Sequence, residues 1–539
     1  MSELPIRRRF TRLTVRTQAR LEAGVGDRWI PTLITVALAA ALIQASLSRL
    51  RSLGTGIDLA GYSQALWLIS EGKMPTASLF GSDVHLLELH WAFIMYPLAL
   101  LGRFFAPTRV LVVTQALALA SAVVPLWRLA RNVANLRVGA ATCLILAYAL
   151  HPATHTLAVE DFHPESLAVP ALIGMAYFGA LKRWLPYWLC IALALACRAD
   201  LGLVVALWGF VVIGHRERTV GVWTLGVGLV WTLGLLLVVQ PIVGEASVPS
   251  GLYTYDSASL GEVVITFLTH PLSSGGELAS RENIALVVGL LTPVIFLPLL
   301  SLRYLAPAVP LAVLYLQADL PGTGAFAGRG SMLLAVVMIA AAYALNRLGT
   351  MGVDRVFLDG RILTTVLAAA ALSFVASSPL SPYERPWEWG RRDATDAAVL
   401  AAVGRLGPDT PVRASPSALA ELSDRPWLFA LDPTQQPSAA QASFPDFTRA
   451  VLVVDRDQPP RTAEEREEFD RAMETQGFAL ALDDRASGVA LYSRGDPDPL
   501  TGGAVGPVTG GAVGPVTGSD VGPVTGGDVG PVTGVGAAS

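Results

Sequence analysis

The chain is built around a series of apolar stretches that are separated by short polar loops. The first covers residues 29–48, and a helix of about 20 residues at 1.5 Å per residue crosses a hydrocarbon core of about 30 Å. Ten further stretches lie near residues 108–128, 137–152, 166–181, 185–198, 200–214, 219–241, 283–301, 304–318, 331–347 and 361–378. Hydrophobic residues make up 53% of the chain and charged residues 15%, against about 25% charged in soluble domains. The pattern predicts a polytopic α-helical membrane protein with a soluble part attached.

The distribution of Lys and Arg predicts how the chain crosses the membrane. Residues 1–28 are rich in arginine and have no cleavage site, so we expect a cytoplasmic N-terminus and an uncleaved anchor. Residues 91–105 are about 15 long and contain Pro97 and Gly102, which is too short for a span that needs about 20. Leaving this segment out keeps the basic loops in the cytoplasm. The result is eleven spans with the C-terminus outside the cytoplasm.

This topology places the polar clusters on the extracytoplasmic side. The first loop, residues 49–107, carries Asp58, Asp83, His85, Glu88 and His90. Apolar spacing predicts a helix over Leu59–Ile69 that lies in the membrane interface. Asp58 would stand at its N-terminal end, where the helix dipole favours an acid. Two interpretations remain open: Asp58 lines the floor of an outward-facing cavity, or it only caps the helix in a solvated loop.

The second loop, residues 152–165, contains the run E-D-F-H-P-E at 160–165. Asp161 and His163 could hold a divalent metal ion such as Mg²⁺ or Mn²⁺, although no HExxH-type spacing is present. The alternative is a hydrogen-bonded loop fixed by Pro164. Farther along, Arg198 and Asp200 stand at a helix end. This pair could hold a phosphate through the guanidinium, or it could be a snorkelling pair at the membrane surface.

The composition changes after the last apolar stretch. We expect the basic N-terminus at 1–28, the membrane domain at 29–378, a linker at 379–390, an extracytoplasmic α/β domain at 391–496 and a disordered tail of Gly/Pro octapeptide repeats at 497–539. The α/β domain is predicted from helices over 391–405 and 462–475 and strands near 411–415, 427–431, 450–455, 477–481 and 488–493. It should lie on the same side as the polar loops.

Several function classes lack support in the sequence. The net charge of −4 gives no sign of nucleic-acid binding, and no Walker motif, Rossmann glycines or Ser-His-Asp grouping stands out. Cys143, Cys190 and Cys197 lie in apolar segments without a C-x-x-C pattern, so they are predicted to be packing residues. Use of ATP or of a nucleotide sugar is therefore unsupported.

Four motifs resemble a family of bacterial predicted membrane proteins known as domain of unknown function 2079, and VRASPSALAELSDRP with the later AVLVVD resembles the outer α/β domain of that family. IDLAGYSQALWLISEG resembles its F-D-L-x-x-x-x-Q-A-L-W opening, ELHWAFIMYPLALLGRFFAP resembles its G-D-H-F-S-P segment, VEDFHPESLAVP resembles its F-D-F-H-P-E-A-L-A-V-P signature, and CRADLGL is similar to its C-K-E-D-A-G-L. The resemblance covers roughly residues 50–460. Three positions depart from it: Ser63 and Ala199 replace acids, and Arg198 replaces Lys.

That family is grouped with the GT-C superfamily, which includes glycosyltransferases that use lipid-phosphate-linked sugars. The resemblance therefore implies a GT-C-like fold and transfer of a sugar from a polyprenyl phosphate to an extracytoplasmic lipid, glycan or protein hydroxyl. Asp58 would be the base. The substrate-binding residues would be Gln64, Trp67, His90, Glu165, Arg198 and Asp200, with Asp161 and His163 as metal ligands.

Two other functions remain open at this stage. The same polar loops could gate a transporter or flippase of lipid-linked material, or the chain could be a non-catalytic scaffold of the cell envelope. A transporter is expected to show paired broken helices or internal repeats, and the sequence shows no convincing example of either. Membrane lipids and a lipid-linked sugar are the expected partners.

Overall fold

The computed structural model describes residues 24–80, 85–89, 91–235, 279–317, 325–352, 355–431, 448–458 and 462–494, which all belong to one compact unit. The predicted disordered tail lies outside the described residues. So do Asp83, His90 and most of the loop at 242–282.

The membrane part is helical. Within the described residues its helices are α1 Gly26–Arg51, α2 Ile57–Ser70, α3 Leu86–Leu89, α4 Met95–Gly102, α5 Pro107–Ser121, α6 Val123–Asn132, α7 Val138–Ala149, α8 Pro152–Val159, α9 Ala168–Ala180, α10 Trp184–Cys197, α11 Leu201–Gly214, α12 Arg218–Gly234, α13 Arg281–Leu291, α14 Leu302–Leu305, α15 Val309–Gln317, α16 Ala325–Leu348 and α17 Gly360–Ser377. A small hairpin, β1 Thr350–Met351 with β2 Val356–Phe357, precedes α17.

Length and composition identify the membrane-crossing helices. Among the described residues, Gly26–Arg51, Pro107–Asn132 and Gly360–Glu388 are long and apolar enough to span by themselves. Two bent pairs bring the number to five if each is one span: Val138–Ala149 with Pro152–Val159, bent by 41°, and Asn283–Val294 with Leu297–Val313, bent by 85°. The number of eleven spans remains a prediction. The sequence showed no convincing broken pair; in the structure the helices of these two pairs are interrupted just before Pro152 and just before Leu297.

The segment at 91–105 does not cross the membrane. Its helix α4 has 8 residues. At 1.5 Å per residue it covers about 12 Å, well short of a hydrocarbon core of about 30 Å. The exclusion of this segment from the spans is confirmed.

The centre of the membrane part is the second half of α16. Its side chains from Leu334 to Leu345 are buried around almost the whole circumference. A helix that is hydrophobic all round belongs in the interior of a bundle. Helices α11 and α12 approach each other closely through glycine. A Cβ on Gly228 of α12 would lie 2.4 Å from the Gly202 carbonyl oxygen of α11. Small residues at such a contact let two membrane helices pack backbone to backbone.

The soluble part is an α/β domain, as predicted. Its helices are α18 Ala394–Val403, α19 Pro416–Leu419 and α20 Ala463–Thr475, and its strands are β3 Val412–Ala414, β4 Leu428–Ala430, β5 Ala450–Val454, β6 Ala479–Asp484 and β7 Val489–Ser493. The sheet order is β4-β3-β5-β7-β6, with β3 parallel to β4 and β5 and with β7 antiparallel to β5 and β6. Capping boxes at Asp393 and Thr462 begin α18 and α20.

The α/β domain packs directly on α2 of the first loop. The Gln64 side-chain amide donates to the carbonyl oxygen of Arg425 at 3.1 Å, and the Ser423 hydroxyl donates to Ser63 at 2.9 Å. The Ser78 hydroxyl donates to the carbonyl oxygen of Leu428 and accepts from its N–H. The domain therefore lies on the same side as the first loop, as predicted. The α/β domain and the membrane helices bury most of α2, including Leu59 to Leu66.

Candidate functional site

The first and second loops meet at the beginning of α2. The Asp161 carboxylate accepts hydrogen bonds from the backbone N–H groups of Asp58 at 3.1 Å, Leu59 at 2.6 Å and Phe162 at 3.0 Å. The cap position of α2 is Gly56, which has no side chain to accept such bonds. Asp161 therefore supplies the missing acceptor from the second loop. The interpretation of Asp58 as the helix cap is wrong, since Asp58 lies inside the first turn.

This arrangement depends on the absence of a side chain at Gly56. A Cβ at this position would lie 2.4 Å from the Asp161 carboxylate. We expect Gly56→Ala to push the carboxylate away from α2 and to cost about 1–2 kcal/mol of unfolding free energy, the range of a lost helix cap. Thermal unfolding of the purified protein measures this. Gly226→Ala is the matched control, because a Cβ there meets nothing within 4 Å; equal stability of the two variants would contradict the close contact.

The Asp58 and Asp161 carboxyl groups influence each other. Burial raises the pKa of Asp161 well above its usual range, and the nearby Asp58 carboxylate raises it further, while the three backbone N–H donors lower it. Two like charges in one half-buried site favour a state in which one carboxyl keeps its proton. The site can therefore hold or release a proton, which is what acid–base chemistry requires.

Tyr62 connects this acid pair with a second polar group. It lies one helical turn after Asp58 and is buried, with its ring packed edge-on against Phe162 at 5.3 Å. Burial raises the pKa of its phenol, the carboxylates of Glu165 and Asp58 raise it further, and Arg198 lowers it. The phenol thus lies near both groups and stays protonated. Sequence analysis missed this residue, although its spacing of four from Asp58 placed it on the same helix face.

The second group consists of Glu165, Arg198, Asp200 and Tyr315. The Arg198 guanidinium donates to Glu165 at 2.9 Å and to Asp200 at 2.9 Å, and the Tyr315 hydroxyl donates to the same Asp200 oxygen at 3.0 Å. The side chains of Arg198 and Glu165 are 4% and 2% exposed. The snorkelling interpretation is wrong, because a snorkelling guanidinium would reach water. The guanidinium already binds two carboxylates, so a phosphate would have to compete with them.

The predicted metal ligands sit in a hydrogen-bonded loop. Gln115 holds the loop from α5: its side-chain amide donates to the Asp161 carbonyl at 2.7 Å, and its oxygen accepts from the His163 N–H at 2.8 Å. The Asp161 carboxylate is already occupied by backbone donors. The described part of the chain contains no group of three or more His, Cys, Asp or Glu placed to hold a metal ion. Nothing in the sequence marked Gln115, because its partners lie more than 40 residues away.

The remaining predicted substrate-binding residues are Gln64, Trp67 and His90. Gln64 is fully buried, and its amide nitrogen is committed to Ser78, Arg425 and Pro426. Its observed contacts fasten the α/β domain. Trp67 is half-buried, with the Lys73 ammonium 4.5 Å from its ring centroid. His90 lies outside the described residues.

The geometry can be compared with known proteins. The family model described as "Predicted membrane protein (DUF2079)" matches residues 49–484. This chain belongs to that family. The match covers α2, the second loop, the Arg198 group and most of the α/β domain, so the whole of the described site lies inside the family region. No curated protein matches the sequence.

Solved structures show the fold. The chain is similar to ArnT from Cupriavidus metallidurans, a GT-C glycosyltransferase, in the apo state, with a TM-score of 0.51, 14% identity, and coverage of 86% of this chain and 97% of that chain. It is also similar to the same ArnT bound to undecaprenyl phosphate, with a TM-score of 0.52, 14% identity and the same coverage. This chain therefore has a GT-C-like membrane fold with a small α/β domain.

Proposed function

We propose that this protein is a membrane glycosyltransferase that moves a sugar from a polyprenyl phosphate to an extracytoplasmic hydroxyl acceptor. The observation that carries the proposal is the placement of Asp58: its carboxylate lies in the first turn of α2, whose backbone is held by the Asp161 carboxylate. The likeness to ArnT, of which one structure holds undecaprenyl phosphate, supports a lipid-phosphate substrate. An extracytoplasmic site also favours a lipid donor, because nucleotide sugars are made in the cytoplasm.

The proposed chemistry is a displacement at the anomeric carbon of the donor sugar. The acceptor oxygen forms a bond to that carbon, the bond from the carbon to the phosphate oxygen breaks, and the polyprenyl phosphate leaves with the electron pair. Asp58 takes the proton of the acceptor hydroxyl as a general base. Asp161 keeps the Asp58 backbone in place by binding its N–H. The Tyr62 phenol, buried and protonated, adds a fixed dipole near Asp58.

A transfer assay tests this function. The purified full-length protein in lipid nanodiscs is given a polyprenyl-phosphate sugar with a radiolabelled hexose or pentose, together with extracted envelope lipids and glycans. We expect label to move to the acceptor and free polyprenyl phosphate to form in equal amount. Intact donor after prolonged incubation with every hexose and pentose donor and with the extracted acceptors would reject the glycosyltransferase.

The two broken helix pairs favour one other function, transport of a lipid-linked substrate. Discontinuous helices at membrane depth are a hallmark of secondary transporters, and the pair at 283–313 bends by 85°. Proteoliposomes distinguish the two functions, because a flippase moves labelled lipid-linked sugar across the bilayer without cleaving it. A transferase cleaves it on one side.

A further inference from the structure

Arg49, near the end of α1, is a cation close to the acid pair that sequence analysis did not single out. It lies within electrostatic range of Glu160 and Asp161. Its Nε is buried and has no hydrogen-bond partner among the described residues. No salt bridge joins it to a carboxylate in the described ranges. A buried donor without a partner destabilises the fold, and a bound acceptor would remove that cost.

The linker after the last span holds an aromatic ring on this guanidinium. Arg49 lies over the Trp389 ring at 5.2 Å from its centroid. The next residue, Gly390, has φ of +82°, a backbone conformation that favours glycine, and a Cβ there would lie 3.4 Å from the Ser48 backbone. Arg392 then donates to the carbonyl oxygen of Arg51 at 3.2 Å. The contacts of Gly390 and Arg392 hold the linker against the end of α1, and the Trp389 ring then restricts the freedom of the guanidinium before it binds an anion.

Two further buried polar groups, on residues that are close in sequence to Gly56 and Asp161, lack a partner in the described part of the chain. They are the hydroxyl oxygen of Thr55, next to Gly56, and Nε2 of His163, two residues after Asp161. Like Arg49 Nε, each of these groups is buried and can donate a hydrogen bond. Buried polar groups without partners are rare in folded proteins and often mark a position that a ligand or water fills. Donors of this kind suit an anionic oxygen.

We propose that Arg49 binds the phosphate group of the lipid-linked substrate beside Asp58 and Asp161. This inference rests on the proposed function and assigns the phosphate to a residue other than Arg198. The Arg198 guanidinium is buried and already paired with the carboxylates of Glu165 and Asp200, whereas no carboxylate in the described ranges forms a salt bridge with Arg49. A phosphate here would be repelled by any charge on the carboxyl groups of Glu160 and Asp161. The planar guanidinium offsets that repulsion and binds phosphate oxygens in pairs.

Lipid binding by the purified full-length protein tests Arg49 without the need for turnover. Wild type and variants are placed in nanodiscs of phosphatidylcholine, which carries no net charge, and titrated with undecaprenyl phosphate. We expect Arg49→Gln to weaken binding about ten- to a hundredfold, the effect of losing a hydrogen bond to a charged group. Arg49→Lys keeps the charge without the planar fork, so it should weaken binding less. Arg51→Gln is the matched control, because Arg51 is exposed two residues away and should bind as wild type does.

The outcomes separate this inference from the proposed function. If wild type and Arg49→Gln bind undecaprenyl phosphate with equal affinity while wild type transfers sugar, the role of Arg49 is overturned and the proposed function stands. Absence of binding by wild type overturns both the role of Arg49 and the lipid-phosphate donor. Parallel titrations with phosphatidylglycerol and inorganic phosphate identify the source of the phosphate. Equal affinity for phosphatidylglycerol with the same dependence on Arg49 would reveal a general anionic-lipid site and overturn the assignment. If Arg49→Gln fails to fold, the affinity of Arg49→Lys for undecaprenyl phosphate is compared with that of wild type, and equal affinity overturns the role of Arg49.

Discussion

Asp58→Asn should lower the rate of sugar transfer by about 10²- to 10⁴-fold, the usual contribution of a general base. The amide keeps the size of the carboxyl group but cannot take the acceptor proton. The backbone N–H of residue 58 remains available to the Asp161 carboxylate, so the contact between the loops should survive. The measurement is turnover of purified protein with a polyprenyl-phosphate sugar, combined with thermal unfolding of the same samples.

The same substitution at Asp359 is the matched control. Asp359 caps α17, where its side chain accepts from the Arg361 N–H at 2.9 Å. Asn caps a helix about as well as Asp, so Asp359→Asn should change neither stability nor turnover. Normal turnover in Asp58→Asn would eliminate Asp58 as the base. Loss of turnover together with a large fall in unfolding temperature would indicate a structural role instead.

Local patterns in the sequence were sufficient to predict individual elements. The helix expected over Leu59–Ile69 exists as Ile57–Ser70, and five short apolar runs became the strands of one sheet. Each of these depends on neighbours a few residues apart, which periodicity and turn residues report directly. The exclusion of residues 91–105 from the spans also depended only on local length and on Pro97 and Gly102.

Contacts between distant residues could not be predicted in the same way. The carboxylate that caps α2 comes from Asp161, 103 residues away, and Gln64 binds a carbonyl 361 residues away. Composition gives no information on which of several acids makes such a contact. The break at Ile295 and Phe296 was missed for a different reason: both adopt a left-handed backbone, which sequence rules associate with glycine or asparagine.

The structure changes the roles that can be assigned to the charged residues of the site. Sequence analysis gave Asp58 the role of base, Asp161 that of a metal ligand and Arg198 that of a substrate-binding residue. In the structure Asp161 fixes the backbone of Asp58, and Arg198 is held by two carboxylates. Only the side chain of Asp58 keeps its place as the proposed base. Because Arg198 is already paired, the proposed phosphate-binding cation is Arg49.

Removing one partner of the buried Glu165–Arg198 pair should destabilise the protein more than any other substitution considered. Glu165→Gln leaves the Arg198 guanidinium buried with Asp200 as its remaining carboxylate partner. Breaking a buried ion pair in this way costs about 3–5 kcal/mol, whereas an exposed pair contributes about 0–1 kcal/mol. Glu388→Gln is the matched control, because Glu388 and Arg385 form an exposed pair at 3.9 Å with side chains 47% and 68% exposed.

A double variant separates a structural role of this pair from a direct role in transfer. In Glu165→Leu with Arg198→Met the burial cost of both charges disappears, and apolar replacements of buried ion pairs are often neutral or stabilising. Asp200 then loses its guanidinium partner but keeps the Tyr315 hydroxyl at 3.0 Å, so recovery should be partial. If the pair only holds the fold, the double variant should regain turnover along with stability. Stability that returns while transfer stays absent would show that the two charges also act on the substrate. A single Glu165→Gln variant as stable as Glu388→Gln would contradict the buried pair itself.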